Sequence, residues 1–346
     1  MTRKHKWVLA AIQVGLLAWS GATLAADKVY VANEGADTVS VLDATSFKTL
    51  ASVRAGKAPH NVQVSPDGKV VWVTNNGEPA QAAASVHKEM AKAEHGATAT
   101  AGAVWAIDTT SNAVIAKVPV GMHPAHVVVS PDGRFAYITN GGDDTVSVVD
   151  TSAQRVVATI PVGKFPHGLR ISPDGKQSYV ANLKGGTVSV IDTVSQKEVA
   201  QVPAGKGPAQ VGFTPDGRLV LVSLSEENAV AVIDPATRKV IRKVAVGTVP
   251  IQLYVTPDSR MLLVANQGTP KRPGRTVSLI DLASFKVVKT VPTGAGAHGV
   301  VVDRDGRYAY VTNTYANSVS VVDLKDRKVV KTVAVGKGPN GISVTP

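Results

Sequence analysis

One aspartate recurs along this chain at a near-constant interval. It stands at Asp43, Asp108, Asp150, Asp192, Asp234, Asp281 and Asp323, with gaps of 65, 42, 42, 42, 47 and 42 residues. Self-similarity at such a period marks a chain assembled from copies of one supersecondary unit, none of which can bury its apolar surface alone. Each long gap holds one insertion, at residues 77–102 and 268–275, so the register continues on either side.

A representative copy reads Phe165-Pro166-His167-Gly168-Leu169-Arg170-Ile171-Ser172-Pro173-Asp174-Gly175, then Tyr179-Val180-Ala181-Asn182, then Thr187-Val188-Ser189-Val190-Ile191-Asp192, then Val199 to Gly205. These are four short β-branched runs between turn residues, which predicts a four-stranded antiparallel sheet with strands A to D. Pro-Asp-Gly supplies the A–B turn, with φ preset by proline and positive φ accepted by glycine. Both faces of each sheet are apolar, so each must lie between neighbours. Seven sheets set radially achieve this, and the fold class is an all-β, seven-bladed β-propeller. The run Val29–Asn33 matches strand B, whereas Gly341–Pro346 matches strand A. The last strand A is therefore expected to complete the N-terminal blade and close the ring.

The segments Trp72-Val73-Thr74-Asn75, Tyr137-Ile138-Thr139-Asn140 and Tyr310-Val311-Thr312-Asn313 each follow a Pro-Asp-Gly or Arg-Asp-Gly turn. In these residues the chain resembles the YVTN-type β-propeller repeat family, over nearly all of residues 27–346. One copy departs, with Leu224 in place of the asparagine. The resemblance implies a periplasmic or surface-layer type of protein and leaves the activity open.

Thr2-Arg3-Lys4-His5-Lys6, an apolar run from Trp7 to Leu24, and Ala25-Ala26 form the pattern of a secretory signal. Residues 1–26 are expected to be removed, leaving one domain at 27–346 in the periplasm or outside the cell. A retained anchor is the competing reading. No later stretch is long and apolar enough to cross a bilayer. Loss of Arg3, Lys4 and Lys6 lowers the formal charge from +11 to +8, a surplus that would favour an anionic partner. A monomer is expected. With no cysteine in the chain, disulfides, thiolate metal sites and thiol catalysis are excluded.

The repeated aspartates and asparagines recur in almost every copy, so turn and strand-end hydrogen bonds account for them. Residues that break the repeat say more. Where strand A begins, at the mouth of the axial channel, one column reads His60, Ala125, His167, Ala209, Ile251, His298, Asn340. The next reads Asn61, His126, Gly168, Gln210, Gln252, Gly299, Gly341. His60, His167 and His298 share a column and should point alike; His126 is one position off. Arg170 falls further in, where other copies carry Gln63, Val128, Gly212, Tyr254, Val301 and Ser343. A carboxylate of a neighbouring blade or an anion would balance it. The first insertion carries His87, Met90, Glu94 and His95 at helical spacing, a candidate lid at the same end. Met122 and His123 follow in the next loop.

Three functions fit. The leading one is a binding or accessory protein of the envelope, with turnover not expected, whose protein or small-molecule ligand meets His60, His126, His167, His298, Gln210, Gln252, Asn340 and Arg170. The second is a metal-binding protein or metalloenzyme holding copper, zinc or iron through His60, His167, His298 and His126, with His87 and His95 as further ligands. The third is a nucleic-acid or polyanion binder, drawing on Lys271, Arg272 and Arg275 of the second insertion. No Gly-x-Ser-x-Gly elbow or phosphate-binding loop is present.

Overall fold

The computed structural model describes residues 27–77 and 102–346. The leader and most of the first insertion, including His87, Met90, Glu94 and His95, lie outside the described residues. Seven four-stranded antiparallel sheets form a ring. The ring closes as expected: strand A of blade 1, Pro339–Val344, pairs with its strand B, Lys28–Asn33, which pairs in turn with Thr38–Asp43. The other innermost strands are Pro59–Val64, Pro124–Val129, Pro166–Ile171, Pro208–Phe213, Pro250–Val255 and Ala297–Val302, in blades 2 to 7. Each touches the innermost strands of both neighbouring blades, so these strands line the axis.

The core is divided among the blade interfaces. Tyr179, Val188, Val190 and Val202 of blade 4, for example, pack on Val211, Val220, Val222 and Ile233 of blade 5. An equivalent cluster fills each of the other six junctions. Each fully buried Val, Leu or Ile contributes about 1.5–3 kcal/mol relative to exposure, so a blade without neighbours would lose most of its support.

The motif polar groups sew the blades internally. Asn182 donates from Nδ2 to Thr187 Oγ1 at 2.9 Å and Ser189 Oγ at 2.8 Å, joining strand B to strand C. Asn33, Asn140, Asn266 and Asn313 do the same. In blade 5 the whole set changes together: Leu224 replaces the asparagine, and its partners become Ala229 and Ala231. The blade thereby avoids burying hydroxyls without partners. The recurrent aspartates act in turns. Asp43 Oδ1 accepts the N–H groups of Thr45 and Ser46 at 3.1 and 2.6 Å, and these bonds, the Ser46 N–H foremost, hold its carboxyl below the usual range.

The second insertion is an extension of the blade 6 sheet. Strands B and C of blade 6 run on as Met261–Thr269 and Arg272–Asp281, pairing Gly268 with Pro273 and Thr269 with Arg272. Backbone pairing turns the insertion into a protruding hairpin with Lys271, Arg272 and Arg275 exposed.

The polar set in blade 4 should behave as a unit. Replacing Asn182→Leu alone removes the amide donor shared by the half-buried Thr187 and buried Ser189 hydroxyls and is expected to lower stability by about 1–3 kcal/mol in denaturant unfolding. Adding Thr187→Ala and Ser189→Ala, which copies blade 5, should recover most of that loss. Additive losses in the triple variant would contradict the coupling.

Candidate functional site

Each innermost strand begins with a β-bulge. In blade 2, Pro59 opposes Asn75 and Val62 opposes Val73, so His60 and Asn61 together face the single residue Thr74. The same shift occurs in the other six blades. A bulge breaks the alternation of side chains, and both columns of residues gather at the mouth. Threonine of the motif holds the bulge in place. Thr74 Oγ1 accepts the Asn61 N–H at 3.0 Å and donates to the Ala125 carbonyl of the next blade at 2.8 Å. Thr139 and Thr312 repeat the pattern, the first on the His167 carbonyl.

His126, one position off in sequence, therefore joins the cluster. Its ring centre lies 4.9 Å from that of His167 and 5.9 Å from that of His60, while His60 and His167 are 5.4 Å apart. One ring nitrogen of each of these three residues falls within 4.8 Å of the others, and all three side chains are buried. His298 stands further out, its ring centre 6.3 Å from that of His60. His123 is exposed in the preceding loop and takes no part.

The hydrogen bonds prepare the nitrogens differently. His167 Nδ1 lies 2.9 Å from the Ala209 carbonyl, which can only accept, so Nδ1 carries the proton and Nε2 holds the lone pair. His60 Nδ1 lies 3.6 Å from Glu34 Oε2 and 3.3 Å from Asn340 Nδ2, while its Nε2 is buried without a hydrogen bond. Glu34 is itself fixed by the Asn340 amide. Neither nitrogen of His126 has a hydrogen-bond partner. His298 Nδ1 lies 2.9 Å from Gln267 Nε2. With that amide donating, the His298 proton moves to Nε2, so His298 is set apart from the three donors.

Burial, and then the neighbouring His167, His60 and Arg170, hold the His126 imidazole well below the usual histidine range. It stays neutral at pH 7, the form that binds metal. Gln210 and Gln252 are also buried at the mouth. Gln210 accepts the Val211 N–H through Oε1 at 3.0 Å and leaves its buried Nε2 without a partner. Opposite the imidazoles, Leu183, Ala209 and Ile251 form an apolar wall with Phe165 and Val249 packed against it.

Arg170 points into the channel. No carboxylate pairs with it among the described residues, so the balancing carboxylate expected as one alternative is not found. Glu34 and Gln267 went unnoticed in the sequence. Both follow the motif asparagine of their blade and reach the histidine of the next blade, and this column, read across the copies, held the signal: Glu34, Asn76, Gly141, Leu183, Ser225, Gln267, Thr314.

Ring and mouth together define a seven-bladed β-propeller with a polar axial face. The chain belongs to the seven-bladed lactonase-type β-propeller family, whose model, described as "Lactonase, 7-bladed beta-propeller", matches residues 22–199, just over half of the sequence. A second model, described as a YNCE-like beta-propeller, matches residues 269–345. Over 122 residues the chain is 27% identical to Antigen Lp49 of Leptospira interrogans, and the match covers 35% of this chain and 25% of that protein. Among solved structures it is similar to hydrazine synthase of Kuenenia stuttgartiensis, with a TM-score of 0.69, 24% identity, and 82% and 88% of the two chains covered. It is also similar to a functionally unknown protein of Desulfotomaculum acetoxidans, with a TM-score of 0.74, 17% identity, and 92% and 98% covered. Likeness at these identities carries the fold, and activity must be argued from this chain's own residues.

The His126 environment has a consequence for stability. The unfolded chain takes up a proton near pH 6.5 that buried His126 refuses, so stability is full above that pH and falls as pH drops below it. Metal-free protein should lose up to about 1.4 kcal/mol per pH unit below pH 6.5 from this residue. His126→Leu should flatten that slope in unfolding measurements between pH 7.5 and 5.5. An unchanged slope would contradict the assignment.

Proposed function

We propose that this chain is an exported β-propeller that binds one transition-metal ion at its axial mouth through His60, His126 and His167. One observation carries the reading: three buried imidazoles present nitrogens within 4.8 Å of one another, and His126 makes no hydrogen bond at all. A buried polar group left without a partner costs about 1–3 kcal/mol, and a metal ion would remove that cost for His126 and for His60 Nε2.

The donor set suits zinc, copper or iron, since imidazole serves each and the chain has no thiolate to offer. Three neutral nitrogens leave an open coordination position, facing the channel, for water or a ligand. Tetrahedral zinc would bring the nitrogens to about 3.4 Å from one another, given Zn–N bonds near 2.0–2.1 Å, so the rings close inward by about an ångström. Glu34 beside His60 Nδ1 acts as the orienting carboxylate often found behind a metal-bound histidine. The basic start, apolar run and small residues within 1–26 support export. Binding, with no turnover, is the role these features favour.

Untagged protein incubated with zinc or copper and then desalted should retain one equivalent by elemental analysis. His126→Ala and His167→Ala should each weaken binding by about 100-fold or more. Glu34→Gln should cost about 10–100-fold, as orienting partners of metal ligands usually do. His298→Ala should cost far less than His126→Ala, and His123→Ala nothing. Failure to take up either metal, or uptake indifferent to His126→Ala, would overturn the proposal.

A further inference from the structure

Below the histidines, the axial channel is lined by the fourth residue after the opening position of each strand A: Gln63, Val128, Arg170, Gly212, Tyr254, Val301 and Ser343. Several of these are already satisfied or apolar. Gln63 Nε2 donates to the Val64 carbonyl, and Ser343 Oγ accepts the Val64 N–H. Val128 and Val301 are buried hydrocarbon. Gly212 brings no side chain. That leaves Arg170 and Tyr254.

Arg170 is a permanent cation on the innermost strand of blade 4, half-buried at the axis. A guanidinium has five N–H donors, and the hydrogen bond recorded for Arg170 is Nη1 to its neighbour's Leu169 carbonyl at 3.1 Å. No carboxylate pairs with it among the described residues, and the carboxylate at the mouth, Glu34, is committed to Asn340 and His60. Removing a charge from water without a counter-charge is costly, and protein interiors meet that cost with a paired group. Tyr254 holds the same register position on the innermost strand of blade 6, and the Arg170 charge acts on its phenol. It adds an O–H donor. Arg170 sits three residues inward from His167, which at about 3.3 Å per residue is some 10 Å along the strand. Its charge still contributes to the field at His126.

We propose that the axial channel binds one small oxygen-bearing anion, a phosphate or a short carboxylate, through the Arg170 guanidinium and the Tyr254 hydroxyl. The planar fork of arginine matches two oxygens of such an anion side by side. The site goes beyond the metal reading and does not need it, because its cationic partner belongs to the protein.

The test uses metal-free protein, stripped with chelator and dialysed into a phosphate-free buffer, and titrated by calorimetry with inorganic phosphate and separately with oxalate. Saturable binding of one equivalent of either probe is expected, and the tighter of the two identifies the class. Arg170→Gln should weaken it at least tenfold. Tyr254→Phe should weaken it severalfold. Arg170→Lys, which keeps the charge and the fold but not the fork, should fall between wild type and Arg170→Gln. Replacing Lys271, Arg272 and Arg275 of the exposed hairpin with glutamine should leave binding unchanged. No saturable binding of either anion by wild type, or equal binding by Arg170→Gln, or loss on neutralising the hairpin, would overturn the proposal. Metal content, measured on the same preparations, separates this outcome from the fate of the histidine site.

Discussion

The bulge that opens every innermost strand is the constraint on which the mouth depends. A regular strand would send His60 and Asn61 to opposite faces, and His126 would then diverge from His60 and His167. One extra residue per strand, opposed by a single threonine or its substitute, directs both positions to the axis. The motif threonine makes this rigid by accepting from its own blade and donating to the next. The recurrent threonine hydroxyl is therefore an inter-blade brace, and the mouth is built on sheet backbone rather than on loose loops.

The disc and the site draw on different parts of the repeat. Inter-blade hydrocarbon, strand-joining asparagines and turn aspartates recur in most copies because each blade has the same burial problem. The mouth is made of what varies. Imidazoles come from blades 2, 3, 4 and 7, the apolar wall from blades 4 to 6, and the single channel cation from blade 4. A ring of near-identical units thus presents an asymmetric face, with buried imidazoles on one side and, on the other, Leu183, Ala209 and Ile251 interleaved with the amides of Gln210 and Gln252.

Fold and closure were legible because period, turn chemistry and strand pattern agreed at every level. The two termini could be matched to strands B and A before any pairing was seen. The histidine columns were legible too, but not their convergence. Alternation along a strand argued that His126 points away, and only the bulge reverses that. Glu34 and Gln267 were hidden for another reason: each acts on the following blade, a relation that appears only when copies are aligned and placed in a ring. The B–C connection at 268–275 was legible as an insertion carrying three cations, but its pairing was not, because Pro and Gly give no strand pattern there.

Closure of the ring through Pro339–Val344 also bears on the mouth. Asn340 arrives with the final eight residues, and it is the residue that grips Glu34 and approaches His60. Until that strand docks, blade 1 lacks its inner edge and the first imidazole lacks its orienting partners. Loss of Pro339–Val344 would therefore unmake more than one blade edge: it would also take from the axial face the amide that joins Glu34 to His60.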